Sequence, residues 1–210
     1  HILEAYTNLY RVWQSELLEK RLKALIKNFI DYIICSKTYH FKLFFDEKWQ
    51  AKSKAVSFGH DIEGSWLLCE AAEVVGDPAL LAGVEKIALQ MVDATLTEGI
   101  AENGAVYYEK EEDGEIIREI DWWPQAEAVV GLVNAYQVTN QEEYLAAAHK
   151  SWQFLSDYTI DKKYGEWFYK VTPQGKPYLD IDKVSEWKGP YHNGRACMEV
   201  ITRIKQIKNK

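Results

Sequence analysis

Cysteine is scarce in this chain and forms no pattern: Cys35, Cys69 and Cys197 are odd in number, far apart and set in apolar helical contexts. That argues against a disulfide framework or a cysteine zinc site and favours a reducing compartment, the cytoplasm. No stretch reaches the ~18 uncharged apolar residues that a membrane span needs. No signal peptide is recognisable at the start. Basic residues are outnumbered, 25 against 32 acidic ones, for a net charge of −7. This balance argues against a nucleic-acid or anionic-membrane partner. The lysines at the end, Lys205, Lys208 and Lys210, form too short a run to change it. A glycine-rich phosphate loop, a G-x-S-x-G elbow and an H-E-x-x-H pair are all missing. The expectation is therefore no metal and no cofactor, and nothing in the chain specifies an oligomer.

Aromatic residues, by contrast, are plentiful, with eight tryptophans and thirteen tyrosines. Most are expected to fill gaps between helices. Trp122, Trp123 and Trp187 sit beside polar or charged partners at loop ends, which makes them candidates for stacking on a ligand. Sugar rings present flat C–H faces that suit such platforms, and an indole N–H adds a polar handle.

Apolar residues recur at helical spacing through most of the 210 residues. Helices are predicted at roughly 2–13, 15–36, 60–76, 78–99, 124–139, 141–160 and 192–207. Asp77-Pro78 reads as an acidic cap followed by a first-turn proline, Pro124 reads as opening its helix in the same way, and Gly76 closes the helix before Asp77. Between helix pairs lie FKLFFDEKWQ, GAVYYEKEEDGEIIREI and GEWFYKVTPQGKPY, with hairpin signals at Asp113-Gly114 and around Pro173–Gly175. The cycle of inner helix, return helix and hairpin repeats, with starts near 60, 124 and 192. Such periodicity predicts stacked units that cannot bury their apolar faces alone.

The fold class expected is all-α with short β-hairpins, an α/α toroid of which about half the ring is present. Seven helices make three pairs and one unpaired helix. An open half-ring leaves inner-helix surface bare, at about 25 cal/mol per Å² of apolar area. The start agrees, because His1 runs straight into ILEAYTNLYRVW without a cap or an initiator methionine. Either a leader has been removed or this is the later part of a longer protein.

His60 opens HDIEGSWLLCEAAEVVG and His192 opens HNGRACMEVITRI, each where a loop enters an amphipathic helix. Helix starts that recur at a steady interval converge on one rim of a helical barrel. Two imidazoles there are equipped to pass a proton between two faces of one carbon. Glu63 lies at i+3 from His60, and Trp66 falls one turn beyond on the same face. Asp61 reads as a helix cap. His192 follows the bent approach Trp187-Lys188-Gly189-Pro190-Tyr191 and has Arg195 at i+3, so Tyr191 and Arg195 count as candidate substrate contacts. His40 and His149 have no such context. His1 has Glu4 at i+3, echoing His60 and Glu63. A glycoside hydrolase drawing its carboxylates from Glu63, Glu127 and Asp121 is an alternative, as is a non-catalytic sugar-binding module.

FGHDIEGSWLL, WWPQAEAVVG and EWKGPYHNGR, in that order, resemble the cellobiose 2-epimerases within the larger N-acylglucosamine 2-epimerase family. HILEAYTNLYR also looks like a segment that lies mid-chain in that family. The resemblance covers nearly the whole chain and implies an (α/α)6 barrel of about twice this length. Residues 1–210 would be the C-terminal half of that single domain. It implies that His60 and His192 are the acid/base pair for epimerisation at C2 of the reducing-end sugar. Glu63 and His1 would assist by hydrogen bonding, and Trp66, Trp123 and Glu127 match pocket positions. The family's N-terminal contributions, including an arginine and a tyrosine, have no counterpart here. Tyr191-His192-Asn193-Gly194-Arg195 favours a β-1,4-linked disaccharide, cellobiose or lactose, over N-acetylglucosamine epimerisation or mannose isomerisation.

Overall fold

The computed structural model describes residues 1–209 and shows seven α-helices among them. These are α1 Ile2–Val12, α2 Glu16–Asn28, α3 Phe58–Val75, α4 Pro78–Glu98, α5 Trp122–Thr139, α6 Glu142–Phe154 and α7 Tyr191–Lys208. Each matches a predicted helix, with shifts at the ends. The outer helices α2 and α6 end in wider π-helical turns, Phe29–Ile33 and Leu155–Thr159.

Helices α1, α3, α5 and α7 stand side by side in that order, while α2, α4 and α6 pack behind them. Burial separates the two kinds. In α3 thirteen of eighteen residues are buried, and in α5 thirteen of eighteen again, so both are covered nearly all round. Gly131 allows the close approach of these two helices, since a Cβ there would stand 2.7 Å from Ile62 Cγ1. The end members of the inner row are covered on one side only. Ile2 and Val12 of α1 are 64% and 84% exposed, and Met198 and Ile201 of α7 are 65% and 55% exposed. Behind α7, where α1, α3 and α5 each have an outer helix, lies an apolar groove of about 410 Å³ lined by Val129, Val133, Trp152, Ala196 and Val200.

The caps explain most helix boundaries. The Asp77 carboxylate accepts from the Ala79 and Leu80 amides with Pro78 in the first turn, as expected. Gly76 closes α3 at φ +74. Two readings need correction. Helix α5 starts at Trp122 rather than Pro124, so the proline is its third residue; first-turn amides have no intrahelical acceptor, so proline costs nothing there. Asp61 caps nothing, because α3 begins at Phe58 and the Asp61 carboxylate turns inward instead.

The three inter-helix segments form only short strands. β1 Val56–Ser57, β2 Glu109–Lys110 and β3 Ile116–Ile117 make one antiparallel sheet, while β4 Ile120–Asp121 pairs with β5 Lys170–Val171. The expected turn at Gly114 is present, with φ +93. FKLFFDEKWQ forms no regular hairpin; within it only the isolated bridge Phe45↔Ala51 closes the turn, and Phe41 bridges back to Ile34. The repeat shows instead in equivalent bridges after each outer helix: Ile34↔Phe41, Ile100↔Val106 and Ile160↔Trp167.

Candidate active site

The first turns of the four inner helices meet on one rim. His1 caps α1, His60 is the third residue of α3, Trp122 and Trp123 open α5, and His192 is the second residue of α7. The Trp123 indole lies between the two histidines, with ring centroids 4.7 Å from His60 and 5.3 Å from His192. Gly59 makes room for it: a Cβ there would stand 2.4 Å from the Trp123 ring.

Each imidazole is held through Nδ1, by different partners. His192 Nδ1 stands 2.7 Å from Glu127 Oε1. Glu127 is fully buried, and its other oxygen accepts from Trp66 Nε1 at 3.0 Å. With a carboxylate as partner, His192 carries its proton on Nδ1 and leaves Nε2 free. His60 Nδ1 stands 2.7 Å from Ser57 Oγ, a hydroxyl able to donate or accept. Burial by the surrounding protein holds the His60 pKa below that of a free imidazole; the charge of Glu63 opposes this and that of His192 adds to it. The residue as a whole is nonetheless exposed.

Arg195 ties the acids together. It donates to Glu127 Oε1 at 2.7 Å, to Glu63 Oε1, and to Glu4 Oε1 at 2.8 Å. It also donates to the Tyr191 hydroxyl at 2.6 Å, and that hydroxyl bonds Glu4. The guanidinium lies 4.9 Å from the centre of the Trp66 ring. Burial and the charge of Glu127 raise the pKa of Glu63, against the pull of Arg195. Glu63, Glu127 and His192 bring ligand atoms within 4.8 Å of one another, the spacing a cation would use. Arg195 already binds both carboxylates there and supplies the positive charge.

The rim thus brings together His60, His192, Glu63, Trp123, Glu127, Arg195, Tyr191 and His1, the last 3.4 Å from the Tyr191 hydroxyl. Trp66, 1% exposed, backs Glu127, and Trp122, 3% exposed, packs on Tyr169 behind His192. Neither presents a free face. Trp187 lies outside the network, 79% exposed.

Sequence reasoning overlooked several supporting groups. Ser57 had no signal beyond lying three residues before His60. His40 Nδ1 bonds Asp61 at 2.7 Å, and Asp61 also accepts from the Phe41 amide, pinning the preceding loop to α3. Lys188, 1% exposed, donates to Glu166 and to the Trp167 and Lys183 carbonyls; Glu166 in turn accepts from Asn193, which fixes the approach to His192. Glu4 alone had been signalled, by its spacing from His1.

The sequence model of N-acylglucosamine 2-epimerase (GlcNAc 2-epimerase) matches residues 1–195. The chain belongs to this family. Cellobiose 2-epimerase of Bacteroides fragilis is 44% identical over 202 residues, 96% of this chain and 51% of that protein. Cellobiose 2-epimerase of Dictyoglomus turgidum is 40% identical, over 97% of this chain and 52% of that protein. The crystal structure of a sugar epimerase from a ruminal bacterium superposes with a TM-score of 0.92 at 38% identity, over 97% of this chain and 52% of its own. The chain therefore spans about half the length of the relatives it matches. Its fold is about half of the (α/α)6 barrel of the cellobiose 2-epimerases, as the helix count led us to expect. Among the described residues no helix is long and apolar enough to cross a membrane.

Proposed function

We propose that this chain is the C-terminal half of a single (α/α)6 barrel whose rim epimerises a reducing sugar at C2. The natural substrate in this reading is a β-1,4-linked disaccharide such as cellobiose or lactose. The bare edges of α1 and α7 and the groove behind α7 are the surfaces that the rest of the ring would cover.

The observation that carries the reading is the pair of imidazoles on either side of Trp123, each tied through Nδ1. Opening of the sugar ring to its aldehyde makes the C2 proton removable. The Nε2 lone pair of one histidine takes that proton, and the electron pair of the C–H bond forms a cis-enediolate. The other histidine returns a proton to C2 from the opposite face, and the carbonyl re-forms at C1. The overall change is an isomerisation, so no oxidant or reductant is consumed. Its depressed pKa keeps His60 neutral near pH 7, as a base must be, while Glu127 orients the His192 ring through Nδ1. The reverse reaction exchanges the roles.

The hydrolase alternative is disfavoured because Glu63 and Glu127 share one arginine nitrogen and so are committed to each other. Cellobiose in D₂O, followed by proton NMR with the complete-ring protein, tests the proposal. Deuterium entering C2 with mannose appearing at the reducing end is expected. Release of monosaccharide, or binding without exchange, would overturn it.

A further inference from the structure

The first turns of α3, α5 and α7 each carry a buried polar side chain that the two-histidine chemistry does not use: Asp61, Gln125 and Asn193. Each bonds the turn that leaves the preceding outer helix, at the equivalent bridges Ile34↔Phe41, Ile100↔Val106 and Ile160↔Trp167. Asp61 accepts from the Phe41 amide at 2.7 Å. Gln125 accepts from the Val106 amide at 2.8 Å and donates to the Val106 carbonyl at 2.9 Å. Both of these tethers reach the backbone of the turn. The tether of α7 does not: Asn193 Nδ2 donates to Glu166 Oε1 at 2.9 Å, one side chain holding another.

The third turn is altered to make that bond. Two residues before the bridge the backbone is left-handed in every unit, at Tyr39, Gly104 and Gly165. In the third unit alone the next residue is left-handed too: Glu166 has φ +61, whereas its counterparts His40 and Ala105 have no positive φ. A side chain rarely adopts such a value, which persists only where surrounding structure over-determines it. Here the determinant is Lys188. Its ammonium is buried and uses all three donors, on Glu166 Oε1 at 2.8 Å and on the carbonyls of Trp167 and Lys183 at 2.9 and 2.6 Å. The same ammonium lies 5.5 Å from the centre of the Trp122 ring, and Trp122 meets His192 edge-on at 6.4 Å. Asn193 Oδ1 accepts from the Gly194 amide at 3.0 Å, so the amide group next to His192 is fixed at both ends.

We propose that Asn193, gripped by the Glu166–Lys188 ion pair, is a positioning residue that sets the angle at which His192 faces Trp123. Glu127 holds the ring of His192 through Nδ1, and Asn193 holds the backbone from which that ring projects. The role in the reaction rests on the epimerase reading; the hold on His192 rests on the tether alone.

Two measurements on the complete-ring protein test this. In ¹⁵N-histidine NMR without sugar, Asn193→Ala and Glu166→Ala should each move the His192 Nδ1 signal and leave that of His60 in place. Glu166→Gln still offers Asn193 an oxygen and should leave both signals where they are. In C2 deuterium exchange of cellobiose, Asn193→Ala should lower kcat about tenfold with KM within about twofold, since a small misplacement of a reacting group costs up to ~10²-fold. The double variant Asn193→Ala/Glu166→Ala should be no slower than the slower single one, as groups acting along one path are not additive. Should Asn193→Ala fold poorly, the pair Glu166→Ala and Glu166→Gln carries the comparison. An unmoved His192 signal, additive losses in the double variant, or a change confined to KM overturns the positioning role. Absence of C2 exchange with every sugar overturns the epimerase reading instead, and the His192 signal still decides the tether.

Discussion

His60 and His192 occupy equivalent places in the repeat, at the starts of two inner helices, yet their support differs in kind. His192 leans on a fully buried carboxylate that Trp66 and Arg195 also hold, whereas His60 leans on the hydroxyl of Ser57. A carboxylate fixes the tautomer of the ring; a hydroxyl fixes orientation and tolerates either proton state. The repeat therefore supplies position, and the partner behind each ring supplies character. One ring is tied to a buried carboxylate and the other to a neutral hydroxyl, a difference that a symmetrical repeat alone would not provide.

Removing His192 should have the largest effect. His192→Asn in the complete-ring protein is expected to lower kcat by about 10³-fold, within the ~10²–10⁴ range of general acid–base groups, with ligand affinity within about tenfold. Lost binding with unimpaired kcat would break the assignment. Next comes the support itself. Glu127→Gln keeps the shape but removes the charge behind His192, and about a 10²-fold loss in kcat is expected. The loss should fall on kcat and not on KM, because Glu127 acts through the orientation of His192. An unaltered kcat would mean that Glu127 serves packing alone.

The helices and their order were legible from periodicity and caps, because those signals are local. The two histidines were legible for the same reason, each standing at a helix start. What lay behind them was not. Trp66 was read as a pocket residue from helical spacing and Glu127 from the family resemblance, and neither signal says whether the side chain meets a cavity or a neighbour. The bond between Tyr191 and Glu4 joins residues 187 positions apart, and no local pattern encodes it. Asp61 was misread for a related reason. A carboxylate near a helix start ordinarily caps, but here the helix begins earlier and the group meets His40 from a distant loop.

The weaker support should matter less. Ser57→Ala removes one neutral hydrogen bond worth about 1 kcal/mol, so roughly a fivefold fall in kcat is expected. Its signature is directional: the limb assigned to His60 should move. A loss as large as that of Glu127→Gln would erase the distinction between the two sites.

The smallest effect belongs to a third histidine, which serves stability and not chemistry. Burial opposes a proton on His40, but the hydrogen bond and charge of Asp61, joined by Glu98 at 3.4 Å, outweigh it and raise its pKa. Burial also raises the pKa of Asp61, so both shifts favour the protonated pair. A folded-state pKa above the unfolded one contributes stability that is fully present below the unfolded value, about 6.5 for histidine, and is lost as pH rises through the folded one. His40→Gln should flatten that dependence. The expected result is a Tm difference between wild type and variant that is largest near pH 6 and shrinks toward pH 9. A gap that widens with rising pH would show that His40 is held neutral, and that Asp61 alone anchors the loop beside His60.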